Sequence, residues 1–115
     1  MMRSFYATMS YELAPSTPPD ARKLLRAELV GRKWNDRVNA LLMPSSTVWA
    51  ERFAKDEETT GDVFNGCARD LRDAAAAVAR TGRPIQVVRA WVHVSGGGTF
   101  ALAPAELLVL PSGGD

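Results

Sequence analysis

Arg89, Trp91 and His93 occupy alternate positions of one apolar run, and a period of two places all three side chains on one side of a strand. A planar guanidinium pairs with phosphate through parallel hydrogen bonds, and an indole stacks on an unpaired base. Trp91, with Tyr6 of the first strand, could therefore stack single-stranded nucleic acid while Arg89 takes a phosphate. The trio suits a protein interface equally well, because a histidine beside a tryptophan packs more readily than it acts as a general base. Cys67 is the only cysteine, which excludes an intrachain disulfide and a cysteine-based zinc cluster. It falls on an apolar helical stripe and reads as a buried thiol behaving as a small hydrophobe. Ser95-Gly96-Gly97-Gly98 follows a strand but opens no helix and lacks the Gly-Lys-Ser/Thr ending of a phosphate loop, so it reads as a hinge.

The elements that must position these groups follow from pattern and punctuation. Ser4 to Leu13 alternates strictly, with Phe5, Ala7, Met9, Tyr11 and Leu13 on one face and Tyr6, Thr8, Ser10 and Glu12 on the other, which predicts a half-buried strand. Ser16-Thr17-Pro18-Pro19 predicts a hydroxyl-capped helix running to about Val30, with Gly31 supplying the left-handed position after it. Val38 to Met43 and Thr47 to Phe53 read as an antiparallel pair joined by Pro44-Ser45-Ser46. A second helix begins at Thr59, Thr60 or Asp62, carries the stripe Phe64, Cys67, Ala68, Leu71, Ala75 and Val78, and stops at Gly82 and Pro84. Ile85 to Val94 is the clearest strand, and short extra strands are predicted at 99–102 and 107–110.

A chain of 115 residues with 46% hydrophobic and 23% charged residues is expected to form one packed domain, here over 1–110, with 111–115 as a loose tail. The start leads straight into a strand pattern, and the longest small-apolar run, Ala74 to Ala79, is far shorter than the roughly 20 residues of a membrane span. A cytoplasmic protein without a membrane partner is expected. Net charge is +1, so no bulk polyanion affinity is implied, although the cations are mostly arginine.

Strand, helix, strand, strand, helix, strand is the split βαβ order, predicting an α+β ferredoxin-like sandwich with both helices on one face of an antiparallel sheet. Right-handed crossovers put the first strand between the third and fourth. The uncovered face then carries Tyr6, Thr8, Ser10, Glu12, Arg89, Trp91 and His93, with Ile85 and Val87. So apolar a face predicts a two-fold homodimer, with Tyr6, Trp91 and His93 at the interface. The same topology brings Ser46, Thr47 and Arg83 toward Glu12, where they could orient phosphate or serve only as turn residues.

Ser10-Tyr11-Glu12 at the end of the first strand and Ser46-Thr47-Val48-Trp49 at the third resemble motifs of the small ferredoxin-like CRISPR adaptation proteins, the VapD-type ribonucleases and the GhoS-type antitoxin endoribonuclease. That resemblance covers about the first 55 residues. It implies a dimeric protein acting on or near RNA or DNA, with a strand-end carboxylate from each protomer gathering Mg or Mn for phosphodiester cleavage. Glu12 is the catalytic and metal-binding position so implied, with Ser46, Thr47, Arg83 and Arg89 as nucleic-acid contacts. Glutamate here replaces the usual aspartate and is one methylene longer. The alternative is a non-enzymatic interaction or regulatory module that dimerises through the open face, and a third is a small-ligand enzyme whose pocket is lined by Trp91 and His93.

Overall fold

A computed structural model describes residues 2–96. The strands predicted at 99–102 and 107–110 and the tail at 111–115 lie outside the described residues. β1 (Met2–Leu13) forms the centre of a three-stranded antiparallel sheet of order β4-β1-β5, between β4 (Thr47–Lys55) and β5 (Val87–Ser95). Helices α1 (Pro19–Gly31) and α2 (Thr60–Ala79) pack on one face, where Met9, Leu25, Leu29, Val48, Cys67 and Val78 form a fully enclosed core. This α+β arrangement is compatible with the ferredoxin-like fold. Among the described residues no helix is long and apolar enough to cross a membrane.

The alternation of β1 sets the sheet's two faces as its sequence requires: every odd residue from Phe5 to Leu13 is buried. The second predicted strand does not form. Arg37–Val38 (β2) and Leu41–Leu42 (β3) instead pair with each other in a separate hairpin, and among the described residues β4 is met on that side only by an isolated bridge between Asn35 and Trp49. The cause is local. Asn39 adopts φ 55°, a left-handed conformation that asparagine tolerates, and the chain reverses there instead of continuing to Met43. Leu41 and Leu42 are left exposed.

Three smaller corrections concern the helices. α1 starts at Pro19 with Pro18 in the N-cap position and no side-chain cap; neither hydroxyl of Ser16-Thr17 takes that role. Its end is not turned by Gly31: Lys33 takes the positive φ of 72°, Lys33 N donates to Val30 O and Trp34 N to Leu29 O, and the buried Trp34 and Leu29 close the apolar contact of a Schellman turn. In α2, Thr59 and Asp62 form a reciprocal capping box. The buried stripe is Val63, Cys67, Leu71, Ala74 and Val78, so Phe64 and Ala68, predicted inside, are exposed.

Arg52 faces the helix side of β4 between the buried Ala50 and Ala54. Its guanidinium lies 4.8 Å from the Trp34 ring centre, pairs with Asp70 at 3.1 Å, and donates to the carbonyls of Lys33 at 3.3 Å and Arg32 at 3.4 Å. Trp34 Nε1 donates to the same Asp70 oxygen at 3.0 Å. One side chain thereby joins β4, the end of α1 and α2.

Candidate functional site on the open sheet face

The register brings Glu12 opposite Arg89, Ser10 opposite Trp91, Thr8 opposite His93 and Tyr6 opposite Ser95 on one side of β1, with Thr47, Trp49, Glu51 and Phe53 on the other. All share the face that the helices leave open. Two members of the predicted set are displaced. Between Glu12 and Leu13 the pairing jumps from Arg89 to Val87, so Val88 is the extra residue of a β-bulge. That slip turns Val87 to the core side, where it and Ile85 pack partly buried, while Val88 is exposed. Ile85 and Val87 therefore do not belong to the open face, and the regular strand begins at Val87 rather than Ile85.

Glu12 forms an ion pair with Arg89 at 3.0 Å, both side chains being more than half exposed. A pair so wet contributes about 0–1 kcal/mol. Trp91 stacks on His93 with ring centres 5.6 Å apart and planes within 6°. Ser10, Glu12, Arg89 and Trp91 line a shallow depression of about 390 Å³. The Ser10 and Thr47 hydroxyls hydrogen-bond to each other at 2.9 Å, and Ser46 O accepts from Tyr11 N at 3.0 Å, so Ser46 and Thr47 flank the end of β1. Arg83 is instead tied to Asp20 at 2.8 Å, at the start of α1. Its guanidinium holds the Asp20 carboxyl below the usual range, chiefly through that hydrogen bond.

Sequence reasoning missed Phe53, which is 61% exposed on this face, about the same fraction of its surface as the 60% exposed Trp91. Its signal was available, since Thr47, Trp49, Glu51 and Phe53 alternate along β4. Cys67 lies elsewhere, sealed in the core, and burial raises its thiol pKa.

Magnesium and manganese demand near-octahedral oxygen donors, commonly one or two carboxylates with substrate phosphates. In this chain the carboxylate of Glu12 is held by a guanidinium, and the Ser10 and Thr47 hydroxyls on the same face bond to each other. Among the described residues no group of three or more His, Cys, Asp or Glu side chains could hold a metal. Among the described residues, the surroundings of Glu12 in one chain therefore do not supply the donor set of a divalent cation. Comparison with family models, with curated proteins and with solved structures returns no match.

Proposed function

We propose that this protein is a non-enzymatic interaction module that forms a homodimer through the open face of its sheet. The observation that carries the reading is that Trp91 and Phe53, near opposite corners of the sheet face that no helix covers among the described residues, are each about three-fifths exposed. An exposed indole loses ordered water when covered, at roughly 25 cal/mol per Å² of apolar surface. A second copy offers the same residues in return, and a two-fold axis satisfies both faces at once. The Glu12–Arg89 pair supports self-docking, since the face carries both charges and need not repel its own image. Sedimentation equilibrium tests this: the native chain is expected to dimerise and Trp91→Glu to be monomeric. A native chain that stays monomeric at high micromolar concentration refutes it.

A second reading, metal-dependent cleavage of RNA or DNA, is favoured by one observation, the presence of Glu12, Arg89 and Trp91 in a single depression. It requires Glu12 to leave Arg89 and to meet another carboxylate from a second copy. Labelled single-stranded RNA and duplex DNA with magnesium or manganese separate the two readings. Cleavage by the native chain that disappears in Glu12→Ala supports the nuclease; equal behaviour of both proteins supports the interaction module.

A further inference from the structure

A second uncovered surface lies on the opposite side of the sheet. α2 and β5 line an apolar groove of about 400 Å³, with Phe64, Ala68 and Ala75 from the helix and Val87, Ala90 and Val92 from the strand. Ala90 stands on the core side, opposite the buried Tyr11, yet is exposed. Phe64 is 43% exposed beside it. The groove runs along the outer edge of β5, which pairs with β1 on one side and with no other strand among the described residues. Alternate amides of such a strand point outward, so among the described residues this edge offers an unpaired hydrogen-bonding ladder next to the apolar groove.

We propose that residues 99–110 of this same chain dock along the outer edge of β5 and fill the groove. Three features of the page select this occupant. Its tether is short: β5 ends at Ser95 and only Gly96-Gly97-Gly98 stand in the sequence between it and residue 99, so docking costs far less entropy than recruiting a separate molecule. Its length suffices, since twelve extended residues reach roughly 40 Å and a nine-residue strand is roughly 30 Å long. Its chemistry matches as well. Phe100, Leu102 and the run Leu107-Leu108-Val109-Leu110 supply apolar side chains, and Pro104, which lacks an N–H, is compatible with an outermost strand. The one charged side chain at the groove is Arg72, and the one charged residue in 99–110 is Glu106.

Hydrogen exchange of the full-length chain, read at residues 87–95, tests the proposal independently of the open-face dimer. Protection is expected at every amide of β5, whereas a bare edge leaves every second amide exchanging as fast as a loop. In a strand, neighbouring side chains point to opposite sides, so only one of two paired variants, Leu107→Asp with Val109→Asp or Leu108→Asp with Leu110→Asp, is expected to expose the groove. That variant should speed exchange in β5 by about tenfold or more while β4 keeps its native rates. Alternate-amide exchange in the native chain overturns the proposal, as does an equal response of both paired variants. Protection that fades on dilution assigns the edge to a second copy and likewise overturns docking by the chain's own segment. The Trp91→Glu protein repeats the measurement without the proposed dimer, so failure there and failure of dimerisation are separate results.

Discussion

Replacing Arg52 with methionine keeps the aliphatic stem that crosses Trp34 but deletes the charge and the donor fork. The geometry fixes what is lost. A guanidinium 4.8 Å from the Trp34 centroid contributes about 0.5–1 kcal/mol of cation–π attraction. The contact with Asp70 at 3.1 Å, with both side chains at least two-thirds covered, adds about 1 kcal/mol after allowance for solvent screening. The long bonds to the Lys33 and Arg32 carbonyls add roughly 0.5 kcal/mol each at most. The expected loss is thus about 2–3 kcal/mol, which for a domain of this size lowers the melting temperature by roughly 10–20 °C. Urea unfolding followed by tryptophan fluorescence and far-ultraviolet circular dichroism measures it. Arg52→Lys is expected to recover less than half, because an ammonium cannot serve the carboxylate, the ring and two carbonyls in one plane. A methionine variant within about 0.5 kcal/mol of the native chain would sink the argument that this arginine joins β4 to both helices.

Other outcomes follow from single features of the fold. Lys33→Gly is expected to stabilise the protein by roughly 0.5–1 kcal/mol, measured by thermal unfolding, because glycine adopts the observed φ of 72° without a Cβ clash. Arg83→Ala is expected to raise the Asp20 pKa toward the ordinary carboxylate value in a carbon-detected titration. Since the native pKa is depressed, the stability from this pair is present above the unfolded-state value and is lost as pH falls through the folded one. Cys67 is expected to resist Ellman's reagent in the native protein at mildly alkaline pH and to react at once in denaturant, because burial both raises its pKa and blocks access; fast native labelling would contradict the packing.

Much of this architecture is legible along the chain because it is written in local periodicity. The alternation from Phe5 to Leu13 decides which face of β1 is buried, Thr59 and Asp62 announce the start of α2, and the order of elements fixes β1 at the sheet centre. Departures arise where several local solutions have similar energy. Val38 to Met43 has the composition of a strand, but Asn39 can also turn back on itself, and only the competition for β4 decides between them. The helical stripe of α2 admits Val63 or Phe64 as its first buried member, one residue and 100° apart, and packing against β1 selects Val63.

The candidate site divides in the same way. Sequence alone put Tyr6, Ser10, Glu12, Arg89, Trp91 and His93 on a shared face, since a period of two needs no tertiary information. Tertiary structure alone decided that Glu12 meets Arg89, that Arg83 goes to Asp20, and that a bulge at Val88 returns Ile85 and Val87 to the core. A pairing partner is a property of register between distant segments, and a one-residue slip reverses every side chain beyond it. The Trp34–Asp70–Arg52 contact was equally invisible, because its three members are brought together only when the end of α1, α2 and β4 converge.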